Sequence, residues 1–248
     1  MITHFKQKIL RAQKIRSTEG NIALLKDSIG FIYRNSIRRV VPTSGYYTKA
    51  GIPVRARKPL DSFVPGVNYS DDPDHENALV SELRSHVESG DSIVIVGAGS
   101  GTTTVIAAKQ ATTSGHVISF DGDASRVRQA QNTIALNEIQ NGCEVRHAIV
   151  GPAIHLSIVE ENKSQAEQIS PEDLPECDVL ELDCEGAEKD ILEELKTTPR
   201  VIIVETHPHF GAETEDIKTI LENRGYKISN QIDRGSVPVL TAVYDTGC

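Results

Sequence analysis

The stretch Val94–Thr104, VIVGAGSGTTT, sets Gly97, Gly99 and Gly101 directly behind a β-branched apolar run. Such a run predicts a strand covered on both faces, and the glycines predict a tight turn into a helix. In a strand–turn–helix unit the missing side chains let a ligand approach the backbone, while the helix start offers it free N–H groups. The dinucleotide fingerprint G-x-G-x-x-G needs its third glycine at position 102, where Thr102 stands. No Gly-Lys-Ser/Thr follows, which excludes a Walker loop. The turn alone therefore points to a nucleotide-type ligand without naming it.

Working outward, SIVIV (92–96), HVISF (116–120), CEVRHAIV (143–150), DVLELD (178–183) and RVIIVE (200–205) read as strands. Helical patterns fall over 102–111, 124–138, 187–196 and 214–224. This alternation predicts a mostly parallel sheet with helices on both faces. Residues 152–176, with Pro152, Pro171 and Pro175, read as loop with room for one short irregular strand. YKISNQI and VPVLTAVYD are joined only by DRGS, a connection so short that the two strands must be antiparallel.

Upstream, residues 1–42 read as a basic helical extension, with amphipathic patterns over 4–16 and over Ile22, Leu25, Ile29, Ile32, Ser36 and Val40. Residues 43–88 read as a hairpin turning at Ala50-Gly51, a loop, and a helix over 75–88 capped by Asp74. The ligand-binding domain is placed at 89–248.

The 248 residues are 25% charged and 4% aromatic with no Trp, a composition of ordinary globular chains. No apolar run approaches the ~20 residues of a membrane span. The start, MITHFKQKIL, lacks the apolar core of a signal peptide, so a cytoplasmic protein is expected. Four cysteines without C-x-x-C spacing read as reduced thiols. Residues 1–60 carry a net charge of +11 and the remainder −20. That split predicts either an anionic partner for the basic arm or self-association through it.

Asp121, in SFDGD, lies 24 residues beyond Gly97 at the end of the second strand. A carboxylate there can accept hydrogen bonds from both hydroxyls of a ribose; Asp123 is the alternative, or a helix cap. Strands four and five end in LELDCEGAEKDIL and VIIVETHPHFGA, delivering Asp183, Glu185, Glu188, Glu205, His207 and His209 to one rim. For acid–base work a histidine or a carboxylate within reach of a substrate hydroxyl suffices. His-x-His with carboxylates is also a cation ligand set, but nothing in the sequence fixes the spacing between the two loops, so no metal is assigned.

VGAGSG, FDGD, LELDCEGAEKDIL and VIIVETH together resemble the FkbM-type methyltransferases, within the class I S-adenosylmethionine-dependent superfamily, over roughly 75–245. The resemblance implies a seven-stranded Rossmann-like sheet of order 3-2-1-4-5-7-6 closed by an antiparallel hairpin. It implies S-adenosylmethionine held by Gly97, Ala98, Gly99, Gly101, Asp121 and Asp183. Methyl transfer to a hydroxyl of a small molecule or sugar would use Asp183, with His207 as base and Glu185 as its rival. The chain departs from the family pattern at Ile95, usually Asp, at Gly99, usually Asn, and at Glu181, usually Lys. Two alternatives carry the same ribose site: a non-catalytic adenosyl-binding module and an NAD-dependent oxidoreductase.

Overall fold

A computed structural model describes residues 20–65, 67, 69–139, 142–151, 166–233 and 235–245. The helix read over 4–16 lies outside the described residues. The chain divides into two compact units, 1–47 with 55–71, and 48–54 with 72–248.

In the first unit, helix α1 runs over 20–40 and contains a π-helical turn at Tyr33–Ile37. Its interior anchor is Asp61, which accepts hydrogen bonds from the Tyr33 hydroxyl (3.0 Å), Arg38 Nε (2.9 Å), Arg38 Nη2 (3.0 Å) and the Lys58 amide (2.9 Å). Burial pushes this carboxyl up, but the Arg38 fork and the other donors outweigh it and hold Asp61 below its usual range. The helical pattern over Ile22–Val40 is borne out, yet its apolar stripe is exposed: Ile22, Leu25, Ile29, Ile32 and Val40 all face outward, and Gly30 and Tyr33 are the buried positions.

Strands β1 (Gly45–Lys49) and β2 (Ile52–Arg57) form a hairpin. Ala50 and Gly51 turn it at φ +47° and +81°, both in the left-handed region that a two-residue hairpin turn of this hand demands.

The second unit is built on β3 (Ser92–Val96), β4 (His116–Asp121), β5 (Cys143–Val150), β6 (Glu167–Ile169), β7 (Val179–Leu182), β8 (Val201–Glu205), β9 (Tyr226–Ile232) and β10 (Val239–Tyr244). They form one sheet of order β6-β5-β4-β3-β7-β8-β10-β9, parallel except for the β9–β10 hairpin, which runs antiparallel to itself and to β8. Without β6 this is the expected order 3-2-1-4-5-7-6; the edge strand β6 makes eight strands among the described residues rather than seven. Only three residues long, β6 is a short strand within 152–176, the stretch read as loop with room for one.

Helix α2 (Asn77–His86) and α3 (Thr102–Ala111) cover one face, with Leu79, Leu83, Val105 and Ile106 against Ile93, Ile95, Val179 and Ile203. Beside α3 lies α4 (Ala124–Leu136). On the other face, α5 (Glu188–Glu194) and α6 (Thr214–Asn223) set Ile191, Leu192, Ile217 and Leu221 against Val94, Leu180 and Ile202. With both faces covered, each fully buried Leu or Ile contributes about 1.5–3 kcal/mol, which explains the near-continuous apolar runs of β3, β7 and β8.

Helix α2 corrects one expectation. Asp74 does not cap it; Glu76 occupies the N-cap position at φ +48°, and the Asp74 carbonyl instead accepts from the Asn77 amide at 3.3 Å. Asp123, by contrast, caps α4 with its side chain on the Ser125 amide at 2.6 Å.

Candidate active site

Val96 sits in register with Phe120 of β4 on one side and Leu182 of β7 on the other. The chain leaves β3 toward β4 and later returns to β7 on the opposite side, so a crevice opens beyond these carboxyl ends. Gly97, Asp121 and Asp183 stand at its mouth.

The three glycines answer to different constraints. A Cβ on Gly97 would lie 1.9 Å from the Asp183 carbonyl oxygen, so β7 can close on the turn only over a bare backbone. On Gly101 it would lie 2.7 Å from Ala130 Cα, where α4 packs against the start of α3. Gly99 is different: at φ +52° its missing side chain faces nothing nearer than the Gly97 carbonyl at 4.0 Å. Two glycines serve packing, and the third leaves open space.

Beside the turn a pocket is lined by Gly97, Phe120, Asp121, Arg126, Ile149 and Asp183, among others. Asp121 accepts the Gly99 amide at 2.9 Å on one oxygen and the Asp123 amide at 2.8 Å on the other. Each carboxylate oxygen has a second lone pair, so two acceptor positions remain for vicinal hydroxyls. Burial raises Asp121 and the two amides pull it back only in part. Ala98, fully enclosed, donates its amide to the Phe120 carbonyl at 3.0 Å and so shapes the turn from behind.

Arg126 Nη2 pairs with Glu185 Oε1 at 3.2 Å, which places Glu185, at φ +55°, on the Asp121 side of the crevice together with Arg126. With Asp121, Asp183 and Glu185 against one arginine, the lining suits a neutral sugar and a cationic tail better than a pyrophosphate. A ribose and its adenine fit this lining; the residues that would hold them are Gly99, Asp121 and the apolar walls.

Past Asp183 the site becomes a polar cluster. His207 Nδ1 lies 2.8 Å from Glu188 Oε1, and Nε2 faces Asp183 Oδ1 at 3.6 Å and Glu205 Oε1 at 3.7 Å. Glu188, fully buried at the start of α5, also accepts the Cys184 amide (3.1 Å) and the Gly186 amide (2.9 Å). One carboxylate therefore fixes both the loop after β7 and the imidazole. Burial lowers His207, but the Glu188 hydrogen bond and the surrounding carboxylates outweigh it, and the net shift is upward. Asp183 is pushed up to about 8, by burial first and then by Glu205 and Glu76.

One layer below, Glu181 is fully buried and neither of its oxygens has a hydrogen-bond partner. Burial, with Glu76 and Asp183 adding to it, raises its carboxyl well above the usual range; the Thr103 side chain, near it but outside hydrogen-bond geometry, offsets this only in part. Its neighbour across the β3–β7 ladder is Ile95. The two positions where the sequence departs from the Asp and Lys of the family pattern are thus one cross-strand pair.

Sequence reasoning placed Asp183, Glu185 and His207 on one rim, with Glu185 as the rival base; the structure keeps Asp183 beside His207 and pairs Glu185 with Arg126 instead. The sequence placed Glu188 and Glu205 on the rim without a role and gave Glu181 none beyond its departure from the family pattern. The available signal for Glu188 was the EGxE segment, in which it is the last acid.

The topology, with its antiparallel closing hairpin and its glycine turn opposite an acidic strand end, is that of the class I S-adenosylmethionine-dependent methyltransferases. Within it, residues 166–228 match the family model of the methyltransferase FkbM domain. The match takes in Asp183, Glu185, Glu188, Glu205 and His207, while the glycine turn and Asp121 lie before it. Solved structures of similar fold include a ribosomal protein L11 methylase from Lactobacillus delbrueckii subsp. bulgaricus, 15% identical over 68% of this chain and 78% of that one, with a TM-score of 0.48. An S-adenosylmethionine-dependent methyltransferase from Aquifex aeolicus is 16% identical over 68% and 89%, TM-score 0.48. An S-adenosylmethionine-dependent O-methyltransferase from Thermotoga maritima is 13% identical over 68% and 65%, TM-score 0.48. No curated protein matches the chain. No helix among the described residues is long and apolar enough to cross a membrane.

Proposed function

We propose that this methyltransferase acts on an oxygen, the hydroxyl of a small molecule or sugar, presented at the Asp183–Glu205–His207 rim. The observation that supports this reading most is the 2.8 Å pairing of His207 Nδ1 with buried Glu188, which turns Nε2 toward the crevice. S-adenosylmethionine supplies, when bound, a methyl group on a positively charged sulfur.

Asp121 and the Gly99 backbone would hold the ribose of the methyl donor, and Asp183, at the end of β7, would stand between that site and the rim. Most of the rate then comes from holding nucleophile and carbon in line. Glu188 keeps the proton on Nδ1, so the Nε2 lone pair is the acceptor for the hydroxyl proton as the oxygen attacks. The surrounding carboxylates favour imidazolium in the empty site. Positive charge arriving next to Asp183 takes over part of that stabilisation and frees Nε2 for the proton.

Two other readings are separated by simple titrations. An NAD-dependent oxidoreductase would bind NADH in preference to S-adenosylhomocysteine. A non-catalytic module would bind the homocysteine analogue and methylate no hydroxyl acceptor. The test of the proposal is turnover with a panel of hydroxyl acceptors: His207→Ala should lower kcat about 10²–10⁴-fold and leave S-adenosylhomocysteine affinity within a few-fold. Unchanged turnover in that variant contradicts the assignment.

A further inference from the structure

The rim holds more carboxylate than a methyl donor or a proton shuttle requires. Asp183, Glu205 and His207 each turn one donor atom toward a common point, the three atoms lying within 4.8 Å of one another. Nε2 is 3.6 Å from Asp183 Oδ1 and 3.7 Å from Glu205 Oε1. With metal–ligand bonds of about 2.0–2.2 Å, those separations correspond to ligand–metal–ligand angles of roughly 110–135°, which leaves room for a cation that keeps a position open.

Two further observations point the same way. The other nitrogen of His207 is held by a carboxylate, Glu188, the arrangement that orients a metal-binding imidazole and makes it a better donor. Beneath the three ligands, on the same face of the sheet, Glu181 adds a fully buried carboxyl whose two oxygens make no hydrogen bond. A buried acid without a partner is costly, and a second acidic layer under a ring of acids is repulsive unless positive charge sits above it.

We propose that Asp183, Glu205 and His207 form a divalent-cation site, with Glu188 as the positioning residue behind His207 and the buried carboxyl of Glu181 in the layer below. The mixed nitrogen and oxygen donor set suits a borderline cation of the Mn²⁺ or Zn²⁺ kind, and the open position faces the crevice. The spacing between the two loops, which the sequence leaves undefined, is supplied by β7 and β8 lying side by side in register.

The consequence for chemistry rests on the reading above. In the cation-bound form Nε2 is a ligand, and a hydroxyl taking the open position is acidified by the cation directly, its proton passing to solvent water in the crevice as the oxygen attacks. Cation binding itself needs no methyl donor.

The test uses the full chain, stripped with a chelator and titrated with MnCl₂ by calorimetry. Mn²⁺ is chosen because the thiols of Cys143, Cys177 and Cys184 favour softer ions. One ion per chain is expected, with a rise in melting temperature that a chelator reverses. His207→Gln and Glu205→Gln should each weaken binding at least about 100-fold, and Glu188→Gln about 10–100-fold, with thermal melts showing that each variant folds. No binding by the wild type, or unchanged binding by folded His207→Gln, overturns the site. S-adenosylhomocysteine is titrated in parallel. Its binding without any Mn²⁺ uptake removes the cation site and keeps the methyltransferase reading; Mn²⁺ uptake without it does the reverse.

Discussion

His207 Nδ1 and Glu188 Oε1 are 2.8 Å apart, although their chain positions differ by 19 residues and they sit beyond two different strands. Glu188 reaches the imidazole from the first turn of α5 and still accepts the amides of Cys184 and Gly186. Orientation of the imidazole and closure of the loop after β7 therefore depend on one side chain.

Glu188→Gln should separate the two duties. The amide keeps one acceptor oxygen and the volume, so the fold survives, while His207 loses its fixed tautomer. We expect kcat to fall about 10²-fold, the cost of a misplaced catalytic group, with S-adenosylhomocysteine affinity held within a few-fold. Glu188→Ala should in addition lose about 1–3 kcal/mol of stability by stranding two buried amides, measured by denaturant unfolding.

The glycines should respond in three different ways. Gly97→Ala and Gly101→Ala put a methyl into backbone or into Ala130 and should give insoluble or strongly destabilised protein. Gly99→Ala meets only the left-handed strain of φ +52°, about 1–2 kcal/mol, and should fold. Its loss should instead appear as weaker adenosyl-ligand binding by calorimetry. A Gly99→Ala protein that binds as the wild type does would show that the open space is not the ligand's.

Glu181→Leu should raise the melting temperature of the cation-free protein. Leucine of similar volume removes a buried acid that makes no hydrogen bond, worth about 1–3 kcal/mol, or several degrees for a unit of this size. A lower melting temperature would mean that Glu181 has a structural partner in solution.

Asp61 gives the first unit an acid-sensitive lock. Its carboxyl is held below the usual range in the folded state, so it contributes stability above the ordinary carboxylate value of about 3.9. That contribution is lost as pH falls through the depressed folded value. Far-UV circular dichroism should show helix loss on acidification at a higher pH in Asp61→Asn, which lacks the ionised partner of Arg38, than in the wild type.

Most of the α/β unit was legible because its elements are long and strongly patterned. The strands at 92–96, 143–150 and 226–232 and the helix at 102–111 fall where the pattern places them. The failures have physical causes. Glu76 at φ +48° displaces the more ordinary cap Asp74, and β6, foreseen only as one short irregular strand within 152–176, is too short at three residues for alternation to fix its bounds. The stripe from Ile22 to Val40 predicts a helix but not which side meets the protein, and the structure turns that stripe outward. At the site, Asp121, Asp183 and His207 could be read because strand ends aim at the crevice. Glu205 and Glu181 gained their meaning only from the lateral register of β7 and β8, which a one-dimensional pattern does not contain.

Calorimetric titration of S-adenosylhomocysteine into the wild type and into Asp121→Ala tests the adenosyl pocket most directly. One molecule should bind per wild-type chain, and the variant, losing the carboxylate that faces the ribose and supports Gly99, should bind at least about 10-fold more weakly. Equal affinity in both proteins, or none in the wild type, would contradict the account.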